Sequence, residues 1–169
     1  FSGRRDELAR MADRIQQHGV AITPTLAYWD SQWRGRLPGY AEAATEARVP
    51  AAMVQWQAPP ASGAEEWRRA VEEAKRFVGL LAERGVRILA GTDVPCGAVP
   101  AGLSLWREMA LLAEAGMSPL RALGAATSGA AGFLGHPELG RLRAGAAADM
   151  LVVGQNPVEA IPLQPDVLA

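Results

Sequence analysis

The sequence contains one structural unit twice: an amphipathic helix, a glycine, and a short apolar strand that runs into a polar loop. In the first unit, residues 5–17 repeat apolar side chains at helical spacing, and Gly19 separates them from strand 20–23. In the second unit, the helical pattern of residues 65–84 is followed, after a single glycine, by strand 86–91. Consecutive helix-to-strand units with mostly apolar strands predict a parallel sheet covered by helices, and hence an α/β fold.

After the second strand the pattern becomes mainly helical. A helix is predicted over residues 103–115. Ser118 before a proline is typical of a helix N-cap followed by the first helical position, and it opens a predicted helix over residues 120–126. Thr127 or Ser128 can cap a further short helix. We therefore expect consecutive helices behind the second strand.

The remaining segments are less regular. Residues 39–47, between the two units, are compatible with a helix. Residues 139–145 are rich in turn formers. The apolar residues 150–153, which follow Asp149 and end in two valines, predict a strand over residues 149–153. We therefore place an α/β part in residues 1–136 and a small β part in residues 137–169.

Composition limits the partners of this 169-residue chain. Lys and Arg number 17 against 18 for Asp and Glu, and the formal net charge of -1 gives no basis for binding nucleic acid or an anionic membrane. Charged residues interrupt every apolar run well before the roughly 20 residues that a membrane span needs. The single cysteine, Cys96, excludes a framework of internal disulfides and fits a reducing compartment, so we expect a cytoplasmic protein. Because the first residue is Phe1 and not Met, we also expect a sequence that starts within a longer protein.

Asp93 is the clearest candidate for chemistry. The second strand runs directly into Gly91-Thr92-Asp93, which places this carboxylate at the carboxyl end of the strand. In parallel α/β sheets and barrels, catalytic groups gather at that edge. A carboxylate there can bind a divalent metal or accept a proton from water. The alternative is that Asp93 only organises the turn before Pro95, as aspartate often does.

Short motifs follow Asp93 in a characteristic order. They are Gly102-Leu103-Ser104-Leu105, Glu108-Met109, Leu112-Ala113-Glu114-Ala115-Gly116-Met117-Ser118-Pro119, Ala122-Leu123, Ala125-Ala126-Thr127, Leu134-Gly135, Leu139-Gly140, Gly145, Ala148-Asp149 and Asn156-Pro157. With Gly91-Thr92-Asp93 before them, their order and spacing resemble the last barrel strand and the following region of the metal-dependent amidohydrolase superfamily. Upstream, Thr23-Pro24-Thr25-Leu26 resembles the preceding strand in the imidazolonepropionase-like branch, which includes Xaa-Pro dipeptidase relatives.

The resemblance implies a fold and a reaction. The fold is the C-terminal part of a (β/α) TIM-like barrel, with the last two strands and their helices in residues 1–136, followed by a fragment of a small β-sandwich in residues 137–169. The reaction is hydrolysis of a C–N bond in a cyclic amide or dipeptide-like small molecule, outside the class of peptide-bond hydrolases. One or two divalent metals, often zinc, are implied at the carboxyl ends of the strands. Asp93 matches the residue that contacts the metal and acts as general base.

The sequence also departs from the family pattern. No His-x-His pair is present, His18 sits at the end of a helix, and His136 falls in a loop beyond the barrel strands. We therefore expect neither histidine to bind metal. Trp106 stands where many members of this branch carry histidine. Since a catalytic zinc needs about three protein ligands, one carboxylate cannot hold it, and this chain alone is expected to be inactive and metal-free.

Two interpretations of the biological role follow. In the first, the chain is the C-terminal portion of an amidohydrolase. Trp29, Trp33 and Cys96 then line its substrate pocket, because we expect all three on loops at the same edge as Asp93. Its site is completed by the missing N-terminal barrel half or by self-association. In the second, it is a truncated, non-catalytic interaction or assembly protein whose exposed barrel edges are covered by another chain. A decayed gene product that folds poorly is a third interpretation.

Overall fold

A computed structural model describes residues 2–34, 63–94, 96, 99, 101–162 and 165–168, with side chains described from residue 5 onward. The predicted helix over residues 39–47 and the irregular segment around it lie outside these residues. In chain order, the helices and strands are α1 (Ser2–Gln17), β1 (Ala21–Ile22), α2 (Leu26–Arg34), α3 (Ala64–Glu83), β2 (Arg87–Ile88), α4 (Leu103–Glu114), α5 (Pro119–Ala126) and α6 (Ser128–Phe133).

The two strands pair in parallel, as the repeated helix-to-strand unit predicts. Ala21 lies opposite Arg87, and Ile22 lies opposite Ile88. One further bond extends the pairing, because the Leu89 amide donates to the Ile22 carbonyl at 2.9 Å. Each strand is two residues long, shorter than the sequence pattern predicts. The apolar residues that follow β2 pack into the core, and no further strand pairs with them in the described part of the chain.

Helices α2, α3 and α4 pack together with the strands around one apolar core. The amphipathic helix α3 supplies Val78 and Leu81, and α4 supplies the fully buried Leu111 and Leu112. Leu26, at the start of α2, is also fully buried. Burying each such side chain contributes about 1.5–3 kcal/mol relative to exposure, so this core supplies the main stabilisation of the helical layer.

The glycines predicted to end helices do so. After α3, Gly85 adopts a left-handed φ of 74° and donates to the Ala82 carbonyl, while Val86 donates back to Leu81. This pair of bonds is a Schellman motif, which satisfies carbonyls left open at a helix end. The chain leaves α1 through Gly19 in the same way. Both strands therefore start from a helix end fixed by glycine.

The predicted cap of α5 is also present, whereas the cap of α6 differs from the prediction. The Ser118 hydroxyl accepts the Arg121 amide at 3.3 Å, with proline at the next position. Thr127 precedes α6, but its hydroxyl donates to the Leu123 carbonyl at 2.7 Å and makes no capping bond. This back-bonding to the preceding turn uses the group that the cap would need.

The predicted strand over residues 149–153 is wrong. Within the described residues, the tail shows one isolated antiparallel bridge, between Val153 and Val167. Met150 and Leu151 are exposed, at 63% and 66% of their surface. A β-branched run forms a strand only when a neighbouring strand accepts its hydrogen bonds, and the described tail offers a single bridging segment.

No helix in the described part of the chain combines the length and apolar character that crossing a bilayer requires.

Two helical glycines give opposite predictions for stability. A Cβ on Gly79 of α3 would lie 2.4 Å from the Ala115 carbonyl oxygen, whereas a Cβ on Gly124 of α5 would meet nothing within 4 Å. We expect Gly79→Ala to lower the free energy of unfolding by about 1–3 kcal/mol, because α3 must move away from α4. Gly124→Ala should raise it by up to about 1 kcal/mol, since alanine is the better helix former. Urea unfolding of both variants checks this, and equal effects would contradict the close approach.

Candidate active site

The carboxyl ends of the two parallel strands place two loops at the same edge of the sheet. The loop after β1 contains Thr25, and the loop after β2 contains Asp93. These are the two non-glycine residues with positive φ in the described chain, at 50° and 58°. Such conformations cost free energy and are concentrated at functional sites. The edge predicted to carry chemistry is thus also where the backbone is strained.

The two loops touch through a glycine and a threonine. A Cβ built on Gly91 would lie 2.5 Å from the Thr23 Cγ2 methyl group, closer than two carbon atoms can approach. Gly91 is therefore the residue that lets the loop carrying Asp93 lie against the loop after β1. This close approach fixes the two loops relative to each other.

Asp93 presents its carboxylate to solvent at this edge. The residue is exposed, and the described part of the chain gives its side chain no hydrogen-bond or ion-pair partner. Its backbone carbonyl accepts the Cys96 amide at 2.8 Å, which closes a turn. The backbone of Asp93 therefore organises a turn, as one of the two sequence interpretations predicts. The catalytic role of its carboxylate stays a prediction.

Of the three predicted pocket residues, one lies in the loop of Asp93 and two lie on a helix. Cys96 is exposed and contacts Asp93 through that backbone bond. Trp29 and Trp33 lie on helix α2, which corrects the prediction that they lie on a loop; the helix begins directly at Leu26. Among the described residues no hydrogen bond or ring contact joins either tryptophan to Asp93. Their role as pocket residues stays a prediction.

The indole rings of α2 contact other side chains. Trp29, 37% exposed, lies 5.6 Å from Trp67 of α3, ring centre to ring centre. The Trp33 indole N–H donates to Asp30 at 3.1 Å, and the Arg34 guanidinium lies 4.0 Å from the centre of the Trp33 ring. Trp33 is thus held in a polar cluster on its own helix, while Trp29 packs between helices.

The most deeply buried acid among the described residues, Glu108 of α4, was not predicted from the sequence to have a role in the site. It has no exposed surface, and its Oε2 accepts the Ala27 amide at 2.6 Å. The Leu26 amide also donates to this carboxylate. Its Oε1 and the Ser104 hydroxyl are buried without a hydrogen-bond partner in the described chain. Burial raises the pKa of Glu108 from 4.5 to about 7, against the opposing effect of the two amides.

A second buried charge lies beside Glu108 on α4. The Arg107 guanidinium donates to Asp30 of α2 at 2.9 Å, and both side chains are almost fully buried. Arg107 also contacts Glu114, which in turn binds Lys75 of α3. The signal for this cluster was in the sequence: an adjacent Arg and Glu interrupt the apolar stripe of a helix, and charged residues are rarely buried unless paired.

Among the described residues, no hydrogen bond or ion pair joins either histidine to Asp93. His18 is exposed at the amino end of β1, where it borders an open groove of about 510 Å³ along α1 with Met11 and Val20. His136 is exposed in the tail, with Nδ1 3.2 Å from Glu138. Searching the described residues finds no group of three or more His, Cys, Asp or Glu that could hold a metal ion. Asp93 with its exposed surroundings therefore does not fit a complete metal site by itself.

The fold and the edge at which Asp93 lies define an α/β protein of the kind that carries active sites at strand ends. A model of the amidohydrolase family matches residues 5–167, and the chain belongs to this family of hydrolases. A search among curated proteins found no match.

Solved structures share the fold at low sequence identity. A Xaa-Pro dipeptidase with bound methionine matches at TM-score 0.60 and 21% identity, over 92% of this chain and 34% of that chain. A prolidase complexed with N-methylphosphonate-L-proline matches at TM-score 0.62 and 23% identity, over 94% and 35%. An amidohydrolase matches at TM-score 0.59 and 24% identity, over 94% and 34%. The chain spans about a third of the length of these structures.

The contact between the two loops predicts that a second substitution restores the stability lost by the first. We expect Gly91→Ala to lower the free energy of unfolding by about 1–3 kcal/mol, because the new methyl group collides with Thr23. Adding Thr23→Ala should restore most of it, since the Thr23 Cβ itself lies 4.0 Å from the new atom. Urea unfolding of the two single variants and the double variant measures the coupling. Additive effects would contradict the contact.

Glu108 predicts a dependence of stability on pH. Because its pKa is raised in the folded chain, the folded state holds the proton that the unfolded state loses, so stability falls as pH rises from 4.5 to about 7. The expected loss is on the order of 3 kcal/mol across this interval, with little further change above it. Glu108→Gln, which cannot titrate, should flatten the profile. Unfolding experiments in urea between pH 4 and pH 8 test this, and parallel profiles would refute it.

Proposed function

We propose that this chain is the C-terminal portion of a metal-dependent amidohydrolase that hydrolyses a C–N bond in a cyclic amide or dipeptide-like substrate. Residues 1–136 would supply the last two β/α units of its barrel, and residues 137–169 part of a small β-sandwich. Three findings support this: the family match over residues 5–167, the parallel strand pair, and the third of each solved structure that the chain spans. The dipeptidase and prolidase neighbours favour including a dipeptide in the substrate class.

One observation carries the proposal: Asp93 is an exposed carboxylate without a side-chain partner in the described chain, held in a left-handed conformation at the carboxyl end of β2. A side chain that only stabilised the fold would be expected to engage a neighbour. A strained, unpaired carboxylate at this edge is instead suited to exchange protons with a bound molecule.

The proposed chemistry of Asp93 is general acid–base catalysis. Its carboxylate accepts a proton from a water molecule as the water oxygen forms a bond to the substrate carbonyl carbon. The protonated side chain then gives this proton to the leaving nitrogen as the C–N bond breaks. The carboxylate is thereby regenerated, and one water molecule is consumed for each bond hydrolysed.

We propose that a divalent metal such as zinc binds only when residues outside the described part of the chain supply further ligands. Asp93 would contribute one ligand, and a catalytic zinc needs about three from protein. The others would come from the N-terminal barrel half or from self-association, the two partners that we propose for the chain. The substrate is a small molecule, and we propose a cytoplasmic location without nucleic-acid or membrane partners, in line with the balanced charge.

Trp29, Trp33 and Cys96 remain proposed pocket residues. Trp29 has the strongest support of the three, because more than a third of its surface is exposed on the helix that follows β1. An aromatic side chain there offers apolar area to a ring-containing substrate.

Asp93→Asn and Asp93→Ala distinguish the effect of the carboxylate on turnover from the effect of the side chain on the left-handed backbone. We expect both to lower kcat by about 10²–10⁴-fold, because neither side chain can accept the proton. Asn tolerates the left-handed conformation as Asp does, so Ala should be less stable than Asn by about 1 kcal/mol. Hydrolysis of Xaa-Pro dipeptides and cyclic amides by the zinc-loaded complete enzyme that contains this chain gives the change in kcat, and urea unfolding gives the change in stability.

Asp6→Asn, which removes an exposed carboxylate of α1, is the matched control and should leave kcat unchanged. Unchanged turnover in Asp93→Asn would rule out the catalytic role. A metal-free oligomer without turnover, identified by size and metal analysis, would instead support the non-catalytic assembly role.

A further inference from the structure

Glu108 joins parts of the chain that are far apart in sequence. It lies on α4, the helix that follows the loop of Asp93, and its carboxylate binds the first amides of α2, the helix that follows β1. A carboxylate at a helix N-terminus satisfies open N–H groups and interacts favourably with the helix dipole. Here the anion comes from another helix, across 81 positions of sequence.

We propose that Glu108 is a positioning residue of the proposed active site: by holding the start of α2, it fixes the loop after β1 against the loop that carries Asp93. This inference rests on the proposed function only for its effect on catalysis. The positioning of the loop can be measured independently.

The position of the carboxylate supports this role. Leu26 and Ala27, whose amides it accepts, directly follow Thr25, the strained residue of the loop after β1. A left-handed threonine persists only where its surroundings hold it in place. Glu108 supplies that restraint on the helical side of Thr25, and the strand pairing of Ile22 supplies it on the other.

The restraint reaches the loop of Asp93 through the contact between Thr23 and Gly91. Thr23 lies in the restrained loop, and its methyl group packs against the place where Gly91 lacks a side chain. Gly91 is two residues before Asp93. Releasing the start of α2 would therefore loosen the loop after β1 and remove one wall of the Asp93 loop.

The burial of Glu108 costs free energy that apolar packing would not. Its Oε1 and the Ser104 hydroxyl both lack a hydrogen-bond partner in the described residues. Leucine would fill similar volume without that cost, since unpaired buried polar groups destabilise a fold. A carboxylate is required here only if its hydrogen bonds to α2 matter.

Hydrogen exchange tests the positioning directly. Glu108→Asp keeps the charge but withdraws the oxygens by one methylene, Glu108→Leu removes them, and Glu108→Gln keeps an acceptor. We expect the Leu26 and Ala27 amides to exchange at least about tenfold faster in the Asp and Leu variants, as for loss of one hydrogen bond to a charged group, and to be largely rescued in Gln. Exchange at Val78 of α3 serves as reference. Glu114→Gln, another carboxylate of α4 that binds Arg107, is the matched control.

Kinetics of the zinc-loaded complete enzyme that contains this chain test the effect on catalysis. We expect Glu108→Asp to lower kcat about tenfold or more with a smaller change in KM, and Glu108→Gln to restore most of it, because a misplaced catalytic group acts mainly on the reaction step. If Leu fails to fold, the Asp and Gln variants decide.

The possible outcomes separate the two proposals. Unchanged exchange at Leu26 and Ala27 in the Asp variant would overturn the positioning role. Faster exchange with wild-type kcat would overturn its link to catalysis and leave the proposed function standing. Faster exchange, combined with a zinc-loaded complete enzyme whose wild type hydrolyses none of the substrates, would overturn the proposed function, while the restraint on α2 would be supported.

Discussion

The structure depends on a buried polar contact between α2 and α4. Arg107 and Glu108 lie next to each other on α4, and one binds Asp30 while the other binds the first amides of α2. Removing one partner of such a buried pair costs about 3–5 kcal/mol, because the other charge is left buried alone. The apolar core allows several helix positions, whereas these directional bonds allow one. They therefore set where α2 begins and how it crosses the core.

Local signals account for what could be predicted from sequence. Gly19 and Gly85 mark helix ends because only the chain nearby decides whether a left-handed residue is needed. The parallel pairing followed from the repeated unit. The strand predicted over residues 149–153 was wrong for the opposite reason: a β-branched run specifies an extended backbone, but its partner must come from elsewhere in the chain.

In the candidate site, too, only the residue marked by a local sequence pattern could be predicted. Asp93 was found from its position after an apolar strand, a local pattern. Glu108 could not be placed, because the amide that it binds lies 81 positions away in sequence. Trp29 and Trp33 were assigned to a loop because Pro24 hid the helix that begins at Leu26. A sequence pattern thus identifies which group could react, whereas the groups that hold it in place emerge only from tertiary contacts.

The left-handed conformation of Asp93 has a consequence for protein engineering. At such a backbone position, glycine and asparagine are accommodated at least as well as aspartate, and neither carries a carboxylate. A laboratory selection for thermal stability alone would therefore not disfavour substitution of Asp93, and it would accumulate variants that lack the proposed catalytic carboxylate. Libraries built on this chain should hold position 93 constant and search for stability in the helical layer instead.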